Sequence, residues 1–489
     1  MSGTWEPVIG LEVHCELKTA TKLFCGCRNA FGDEPNTNVC PVCLGLPGSL
    51  PVLNEGAVEL AMRIGTALHC EIRPSVFHRK NYFYPDMPKD YQVSQYDAPI
   101  NVGGRLELPD GSTVGIERAH LEEDTGKTGH IGGEGGRIHG AAHSLVDYNR
   151  AGVPLVEIVS RPDIFSAAQA RLYAGELRAI LVASGSSDGR MEEGSMRVDA
   201  NVSVRPAGRA ELGTRCEIKN LNSLHSLARA IEHEIGRQVA LIESGERVVQ
   251  QTRHWDEDQG RTVTLRSKEE AFDYRYFPEP DLVPLSPSAD WVADVARSMG
   301  PMPADRRRKL TELLGEAAGG RTDQIVGVVE KDLEGLVEAA VAAGIGPALA
   351  LARTANEASA NPDGAREVDP ISYVTILRLE QEGLLSATQA KSVLATLLDH
   401  GKESAALVAK LGEKGTPAEI AARLGFEALG DDSTARLVSD AVEANPGEWA
   451  RYLEGEAKLA GFFTGIVMKA SKGKANGKVV AAELERLKG

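Results

Sequence analysis

Four segments in the first half of the chain alternate apolar and polar residues with a period of two. In Ile9–Leu17 the residues Ile9, Leu11, Val13, Cys15 and Leu17 alternate with Gly10, Glu12, His14 and Glu16. Successive side chains of a strand point to opposite faces, so one face is apolar and the other carries two carboxylates and an imidazole. In Ser195–Arg205, Met196, Val198, Ala200, Val202 and Val204 alternate with Ser195, Arg197, Asp199, Asn201, Ser203 and Arg205. A third strand, Ile116–Asp124, ends in the adjacent acids Glu122, Glu123 and Asp124, which repel one another unless a cation or several amides neutralise them. The fourth, Val153–Val159, is apolar except for Glu157, and a buried carboxylate needs a partner. Arg150 or Arg161 would serve as a salt-bridge partner, and a metal ion would serve as well. Taken singly, each polar face is compatible with a ligand set and with a solvated surface.

Near residue 290 the pattern changes. Ala, Leu, Glu and Lys recur at helical spacing, as in Glu330–Ala343 and Tyr373–Leu398. The prolines of Tyr276–Pro284 fit neither a helix interior nor a central strand, so a domain boundary is expected in Pro284–Asp290. Turn-like connectors at Gly412–Thr416 and Gly430–Ser433 divide the helical region again, leaving a small bundle at the end. The glycine run Gly132–Arg137 reads as a hairpin or loop tip.

Composition narrows the class. A chain of 489 residues is expected to hold two or three domains, since single cores rarely exceed about 250–300 residues. Its 42% hydrophobic and 25% charged content is that of a soluble globular protein. No apolar run reaches the roughly 20 residues that span a bilayer, and the first residues lack a basic region followed by an apolar one. A cytoplasmic location is therefore expected. A net charge of −16 argues against binding nucleic acid by overall charge, while leaving room for a local basic patch.

Four of the seven cysteines crowd together as Cys25-x-Cys27 and Cys40-x-x-Cys43. Two short turns each offering two soft ligands suit a structural tetrahedral Zn²⁺, although the first pair is tighter than usual; reduced thiols or a redox pair are the other reading. The pair Cys40-Pro41-Val42-Cys43, followed by Leu44-Gly45, resembles a zinc knuckle, in which glycine lets backbone amides approach the sulfurs. Cys15, Cys70 and Cys216 lie in apolar alternation and read as core thiols.

Acids presented from one face of several strands suit Mg²⁺, and the single histidine tolerates Mn²⁺. Magnesium commonly accompanies phosphate, yet the phosphate motifs are missing. Gly126-Lys127-Thr128 lacks the glycine a P-loop needs at position 121, where Leu121 stands, and no strand is followed by Gly-x-Gly-x-x-Gly. Any ATP chemistry must use a different fold.

Long strings carry a resemblance. Val146-Asp147-Tyr148-Asn149-Arg150-Ala151-Gly152-Val153-Pro154-Leu155-Val156-Glu157-Ile158 closely resembles the signature of the GatB family, the B subunits of aspartyl/glutamyl-tRNA amidotransferases. Val8–His14, Arg79–Asp86, Met191–Arg197, Lys219–Asn222, Asp273–Asp281 and Met468–Gly473 are similar to family strings as well, so the resemblance spans the chain. The related GatE family carries a large insertion for which this chain is too short, and the cysteines vary among GatB proteins.

The resemblance implies an α+β fold: a mixed, largely antiparallel catalytic cradle over 1–293, then two all-α domains, a helical linker over 294–408 and a YqeY-like tRNA-binding tail over 409–489. It implies an ATP-dependent carbon–nitrogen ligase with glutamine as amido donor. The enzyme would phosphorylate the side-chain carboxylate of Glu-tRNA(Gln) or Asp-tRNA(Asn), then amidate it with ammonia channelled from the glutaminase GatA in a heterotrimer with GatC. Carried over by motif, Glu12, His14, Glu122, Glu123 and Glu157, with Asp199, are expected around Mg²⁺ and ATP. From charge and position alone, Lys80, Lys89 and Arg197 are candidate contacts to phosphate or to the transition state. Cys25, Cys27, Cys40 and Cys43 are expected on zinc, and Lys469, Lys472, Lys474 and Lys478 on tRNA. Two other classes stay open on the residues alone: a zinc-bearing tRNA-binding scaffold whose acids are structural, and a metal-dependent phosphoesterase.

Overall fold

The computed structural model of the chain describes residues 5–132, 140–267, 274–400, 430–471, 474–475 and 477–488. The chain separates into two compact units, Met1–Ala304 and Asp305–Gly489.

The first unit is built on strands. In chain order they are β1 (Trp5–Glu16), β2 (Glu71–Ile72), β3 (His78–Asn81), β4 (Tyr91–Ser94), β5 (Asn101–Val102), β6 (Arg105–Glu107), β7 (Thr113–Glu123), β8 (Lys127–Ile131), β9 (His143–Asp147), β10 (Pro154–Ser160), β11 (Met196–Pro206), β12 (Cys216–Leu221), β13 (Gln251–Asp256), β14 (Arg261–Ser267) and β15 (Phe277–Pro278). The main sheet runs β14-β13-β12-β11-β1-β10-β7-β4-β3-β15, with β2, β5 and β6 attached beside β7. Among the described strands only β12–β13 pair in parallel. The architecture is thus mixed α and β with a largely antiparallel sheet, as expected. β8 and β9 form a separate hairpin; residues 133–139 of the glycine-rich tip lie outside the described residues.

β1 sits centrally, between β11 and β10, and its alternation decides how the sheet is dressed. Ile9, Leu11, Val13 and Cys15 are fully buried, while Glu12, His14 and Glu16 stay partly open on the other face. Three helices, α1 (Glu55–Ala67), α2 (Ala167–Ala183) and α3 (Leu224–Glu243), join the apolar face in one hydrophobic core. Asn54, Ser166 and Ser223 each start one of these helices by accepting an amide hydrogen bond three residues on. A fourth helix, α4 (Ala289–Ser298), buries Val295 against the same core, with Trp291 and Val292 packed beside it. The first compact unit therefore runs to Ala304, past the proline-containing segment 284–290.

The second unit is helical. One apolar core gathers residues from Leu310 to Leu398 and another gathers residues from Val438 to Leu484. The stretch of helical spacing over 373–398 is carried by two helices, Pro370–Gln381 and Ala387–His400. Gly383 ends the first in a left-handed conformation (φ 78°), and the Leu384 amide reaches back to the Leu379 carbonyl. Similarly, 330–343 is the end of one helix, Thr322–Glu330, and the whole of the next, Glu334–Ala342. The connector expected at Gly430–Ser433 is instead a helix start, with Gly430 preceding Asp431–Ala444. The connector at 412–416 and the expected division at 408/409 lie outside the described residues. No helix among the described residues is long and apolar enough to cross a membrane.

The central place of β1 has a measurable consequence. Leu11→Ala should lower the urea unfolding free energy of the first unit by about 2–5 kcal/mol, as cavity-forming substitutions in a packed core do. A loss below about 1 kcal/mol would contradict the position given to this strand.

Candidate functional site

Strand register brings the acids together. β1 pairs with β10 so that His14 stands opposite Glu157, and β10 pairs with β7 so that Glu157 stands opposite His120. On its other side β1 places Glu12 opposite Asp199 of β11. His14 Nε2 lies 3.4 Å from Glu122 Oε1, 3.5 Å from Glu157 Oε2 and 3.8 Å from Glu12 Oε1. Ligand atoms of Glu12, His14 and Asp199, and of His14, Glu122 and Glu157, each fall within 4.8 Å of one another. Ligands on a hard cation at about 2.1 Å sit roughly 3 Å apart when adjacent, so a small shift would close this set on Mg²⁺ or Mn²⁺. The donors, mostly carboxylate oxygens with one imidazole, fit such an ion.

Electrostatics say what the cluster lacks. Burial and the neighbouring Glu157 raise Glu12, and burial with Glu157 lifts Glu122 to about 7. Burial pulls His14 down, but Glu157, Glu122 and Glu12 outweigh it and hold the imidazole at about 9. Burial also pushes Glu157 up, yet His120, His14 and Arg118 keep it well below the ordinary carboxylate range. Burial holds His120 itself at about 4, so near neutral pH the charge facing Glu157 comes from His14 and Arg118. A divalent cation would replace protons as the neutralising charge.

A pocket of about 720 Å³ opens beside the cluster. Glu122, Asp124, Glu192, Glu193 and Asp199 contribute its acids, and Lys80, Arg197 and Lys219 its cations, with His14 at the wall between. Arg197 donates to Asp124 at 2.6 Å, and Lys219 bridges Asp199 at 2.6 Å and Glu217 at 3.0 Å. The β12 residue Asn220 is in the left-handed region (φ 67°), where the β11–β12 register shifts. That irregularity accompanies the turn of Lys219 and Asn220 toward the pocket. The loop Met191–Gly194 closes one side.

Two expected members stand elsewhere. Glu123 follows Glu122 on β7, so its side chain points to the opposite face. There it pairs with Lys89 and accepts the Val93 amide at 2.8 Å. Glu123 and Lys89 line a smaller cavity of about 120 Å³ beside Cys25 and Cys43. The three adjacent acids thus do not form one cluster: Glu122 and Asp124 share a face and Glu123 leaves it. The arginines expected for Glu157 are also engaged otherwise, Arg150 with Asp124 and Arg161 with Glu117, while Arg118 reaches Glu157 at 3.4 Å. His120 was missed altogether. It lies 3.7 Å from Glu157, and its buried Nδ1 has no hydrogen-bond partner. The signal was present, because Arg118, His120 and Glu122 share one parity of β7, and Asp124 continues it just past the strand.

The four cysteine sulfurs also come within 4.8 Å of one another, with Cys40 and Cys43 Sγ at 3.9 Å. Sulfurs on a tetrahedral zinc at about 2.3 Å sit about 3.8 Å apart, so the set fits that ion. A hydrogen bond from Cys25, outweighing burial, pulls Cys43 down to about 5. Gly45 has a left-handed backbone (φ 66°), and a Cβ there would stand 2.5 Å from Lys89 Cγ. The glycine is needed for the turn and for Lys89, and the sulfur receives its backbone hydrogen bond from the Cys40 amide at 3.1 Å. Cys15 and Cys216 are core thiols as expected, whereas Cys70 is only partly buried.

In the second unit Lys469 is exposed at the end of helix Leu459–Ala470, and Lys474 is half-buried. Lys472, and the side chain of Lys478, lie outside the described residues.

Comparison with known proteins bears on both units. Residues 7–293 match the family model described as GatB/GatE catalytic domain, and residues 349–487 match the one described as GatB domain. A Frankia casuarinae protein is 49% identical over 99% of this chain and 95% of its own length. A protein from Mycobacterium sp. (strain KMS) is 49% identical over 96% of this chain and 94% of its own. One from Mycobacterium tuberculosis is 48% identical over 96% and 92%. All three are named as the B subunit of an aspartyl/glutamyl-tRNA(Asn/Gln) amidotransferase.

The two clusters should part cleanly by metal. Glu157→Gln should weaken Mn²⁺ binding, followed by loss of the free-ion EPR signal, more than about a hundredfold, the upper end for losing even an outer-shell partner. Its zinc content should not change. Cys40→Ser should do the reverse; a variant that lost both ions, or neither, would contradict the assignment.

Proposed function

The chain belongs to the GatB/GatE family, and from that premise we propose that it activates the side-chain carboxylate of Glu-tRNA(Gln), Asp-tRNA(Asn) or both, as the amidating subunit of a glutamine-dependent ligase. One observation carries this reading: Glu12, Glu122 and Glu157 gather around His14, and His14, Glu122 and Asp199 line one pocket with Lys80, Arg197 and Lys219.

A carboxylate is a poor acceptor for ammonia, because its oxygen leaves badly. Bound ATP supplies the phosphoryl group that converts this oxygen into a leaving group. The protein's task is then positioning and charge neutralisation. Glu12, His14, Glu122 and Glu157, with Asp199 at the edge, would hold Mg²⁺, with Mn²⁺ as a substitute. Lys80 faces tyrosine rings at 5.0 and 6.0 Å, and no carboxylate oxygen lies within 4 Å of its Nζ among the described residues. Its charge is therefore available to phosphate. Arg197 already shares its charge with Asp124, so it suits orientation of a phosphate beside that pair. Ammonia then adds to the activated carbonyl carbon, phosphate departs with its bonding electrons, and the excess proton passes to solvent.

The ammonia would come from a glutaminase partner, GatA, with GatC completing a heterotrimer. No glutaminase nucleophile arrangement stands out in this chain. Cys25, Cys27, Cys40 and Cys43 would hold a structural Zn²⁺. The segment 409–489 would bind tRNA through Lys469, Lys472, Lys474 and Lys478, in a cytoplasmic enzyme. Lys469 and Lys474 offer the positive charge this needs on an otherwise acidic chain.

Two measurements test the reading. The assembled enzyme should hydrolyse ATP with Glu-tRNA(Gln) or Asp-tRNA(Asn), assayed in parallel, and not with uncharged tRNA. Glu12→Ala should abolish the dependence. A scaffold would hydrolyse none, and a phosphoesterase would ignore the aminoacyl group. For the tail, the double change Lys469→Ala and Lys474→Ala should weaken tRNA binding and lower its salt slope by up to about two, one for each phosphate left without its lysine. Glutaminase activity should be unaffected, and an unaltered salt slope would remove these lysines from the interface.

A further inference from the structure

Beyond the acid pocket, the same sheet face carries a group of tyrosines to which no role has been given. Their placement follows from strand parity. On β3, Arg79 turns to the far face, where it pairs with the buried Glu279 at 2.7 Å, so Lys80 faces the pocket. On β15, Phe277 lies over Arg79 at 5.6 Å, so the adjacent Tyr276 turns to the side of Lys80. Tyr276 stacks on Tyr96 with centroids 3.9 Å apart and planes 6° from parallel. Tyr274 meets Tyr276 edge to face at 5.9 Å, and Tyr82 meets Tyr274 likewise at 6.3 Å. Lys80 Nζ sits 5.0 Å from the Tyr274 ring and 6.0 Å from the Tyr82 ring, between the aromatic group and the acids.

The arrangement is held from behind. Between the two β15-side tyrosines, Arg275 is in the left-handed region (φ 46°), which breaks strand alternation and lets both rings share one side. Asn81 fixes that conformation: its amide and Nδ2 donate to the Tyr274 carbonyl at 3.1 and 3.0 Å, and Nδ2 donates to the Arg275 carbonyl at 2.8 Å. Backbone strain of this kind in a non-glycine residue persists only where its surroundings enforce it. The rings are not sealed in a core, because Tyr96 is 56% exposed.

Distance and charge tie the group to the pocket. Glu122 pairs with Ser94, Ser94 with His78, and His78 with Pro278. Tyr82, just past β3, and Tyr276, just before β15, therefore stand two to three strands from Glu122, about 10–14 Å at ordinary strand spacing, while Tyr96, just past β4, joins them by its stacking on Tyr276. Such a span matches the reach from a nucleoside base to a distal phosphate. Burial raises the Tyr276 phenol, and Tyr274, Glu122 and Glu157 add to that, so the ring lies within the field of the acids.

We propose that Tyr82, Tyr96, Tyr274 and Tyr276 form a stacking platform for an adenine base whose phosphate passes Lys80 toward the acid pocket. Flat aromatic faces bind bases without a hydrogen-bond code, and a lysine beside them adds attraction for phosphate. This rests on reading the pocket as a phosphoryl-transfer site. Two ligands share the chemistry, ATP and the 3′-terminal adenosine of tRNA.

The experiment uses the full chain with its partner subunits. ATP, inorganic triphosphate and the trinucleotide C-C-A are titrated by calorimetry into the wild type, Tyr96→Ala, Tyr96→Trp and Glu12→Ala. Tyr96→Ala should weaken ATP or C-C-A roughly ten- to hundredfold, the usual worth of one stacked base, while triphosphate binds as before. Tyr96→Trp should retain or tighten the affected ligand. Loss on the ATP arm assigns the platform to the cosubstrate, and loss on the C-C-A arm assigns it to the tRNA end. Equal affinities on both arms overturn the platform, as do a parallel loss of triphosphate or a wild type that binds neither ligand. Unchanged Mg²⁺-dependent ATP binding in Glu12→Ala would defeat the acid-pocket reading instead, leaving the Tyr96 comparison intact.

Discussion

Like-charge repulsion among carboxylates on neighbouring strands governs the first unit. Glu12, Glu122 and Glu157 come from three strands that lie next to one another, β1, β7 and β10, and the ladder leaves them no freedom to part. Such a set is tolerable only with positive charge at its centre. In the metal-free chain His14 supplies it, held protonated up to about 9 by the acids around it. The neutral His120 and its unpartnered Nδ1 complete a site whose polar demands the protein alone does not satisfy. Groups arranged this way lower stability in isolation and gain from a bound cation, the usual trade at functional sites.

That cost is carried by the opposite face. The apolar residues of β1, β7, β10 and β11 share one core with α1, α2 and α3. Because both faces are written in the same strands, a one-residue slip in β1 would drive Glu12 and His14 into that core and lift Leu11 and Val13 out of it. Register is therefore fixed by the core and then used by the site. The same logic explains why Glu123 pairs with Lys89 rather than with the cluster. On the helix-covered face a lone carboxylate needs a close cation, and Lys89 provides one at 9% side-chain exposure.

This parity accounts for how much could be read from sequence. The two faces of β1 and β11, the isolation of Glu157 and the gathering of four cysteines were legible, since each depends on spacing within one segment. What was not legible depends on pairing between segments. The partner of Glu157 is Arg118 because β10 pairs with β7, and no local pattern distinguishes Arg118 from Arg150 or Arg161. His120 was within reach, since it shares the parity of Glu122, but three consecutive acids masked the alternation. Lys89 fell outside any periodic segment, and only the fold brings it under Gly45. In the second unit, periodicity located helical stretches but ran through Gly383, where a left-handed cap divides one stretch into two helices.

The cysteine loop is joined to this system rather than appended to it. Lys22 is completely buried, and its ammonium donates to the carbonyls of Asn38, in the loop, and Tyr148, just before the strand that carries Glu157. Gly152 takes a left-handed conformation (φ 85°), with Cys43 Cβ, Lys22 Cδ and Glu123 Oε2 all within 4 Å of where its own Cβ would stand. Its amide donates to the Asp124 carbonyl, and its carbonyl accepts from Leu23. One residue thus ties the loop, the end of β7 and the start of β10 into a single packed corner. A buried lysine needs negative charge or carbonyl dipoles nearby, and a set of four thiolates around a divalent ion is net anionic. Metal in the loop would therefore favour the buried Lys22, and through it the Tyr148 contact that sets the approach to β10. A metal held by the four cysteines would thus act by position: it would steady the approach to the strand from which Glu157 faces His14, and would add no ligand to the acid cluster.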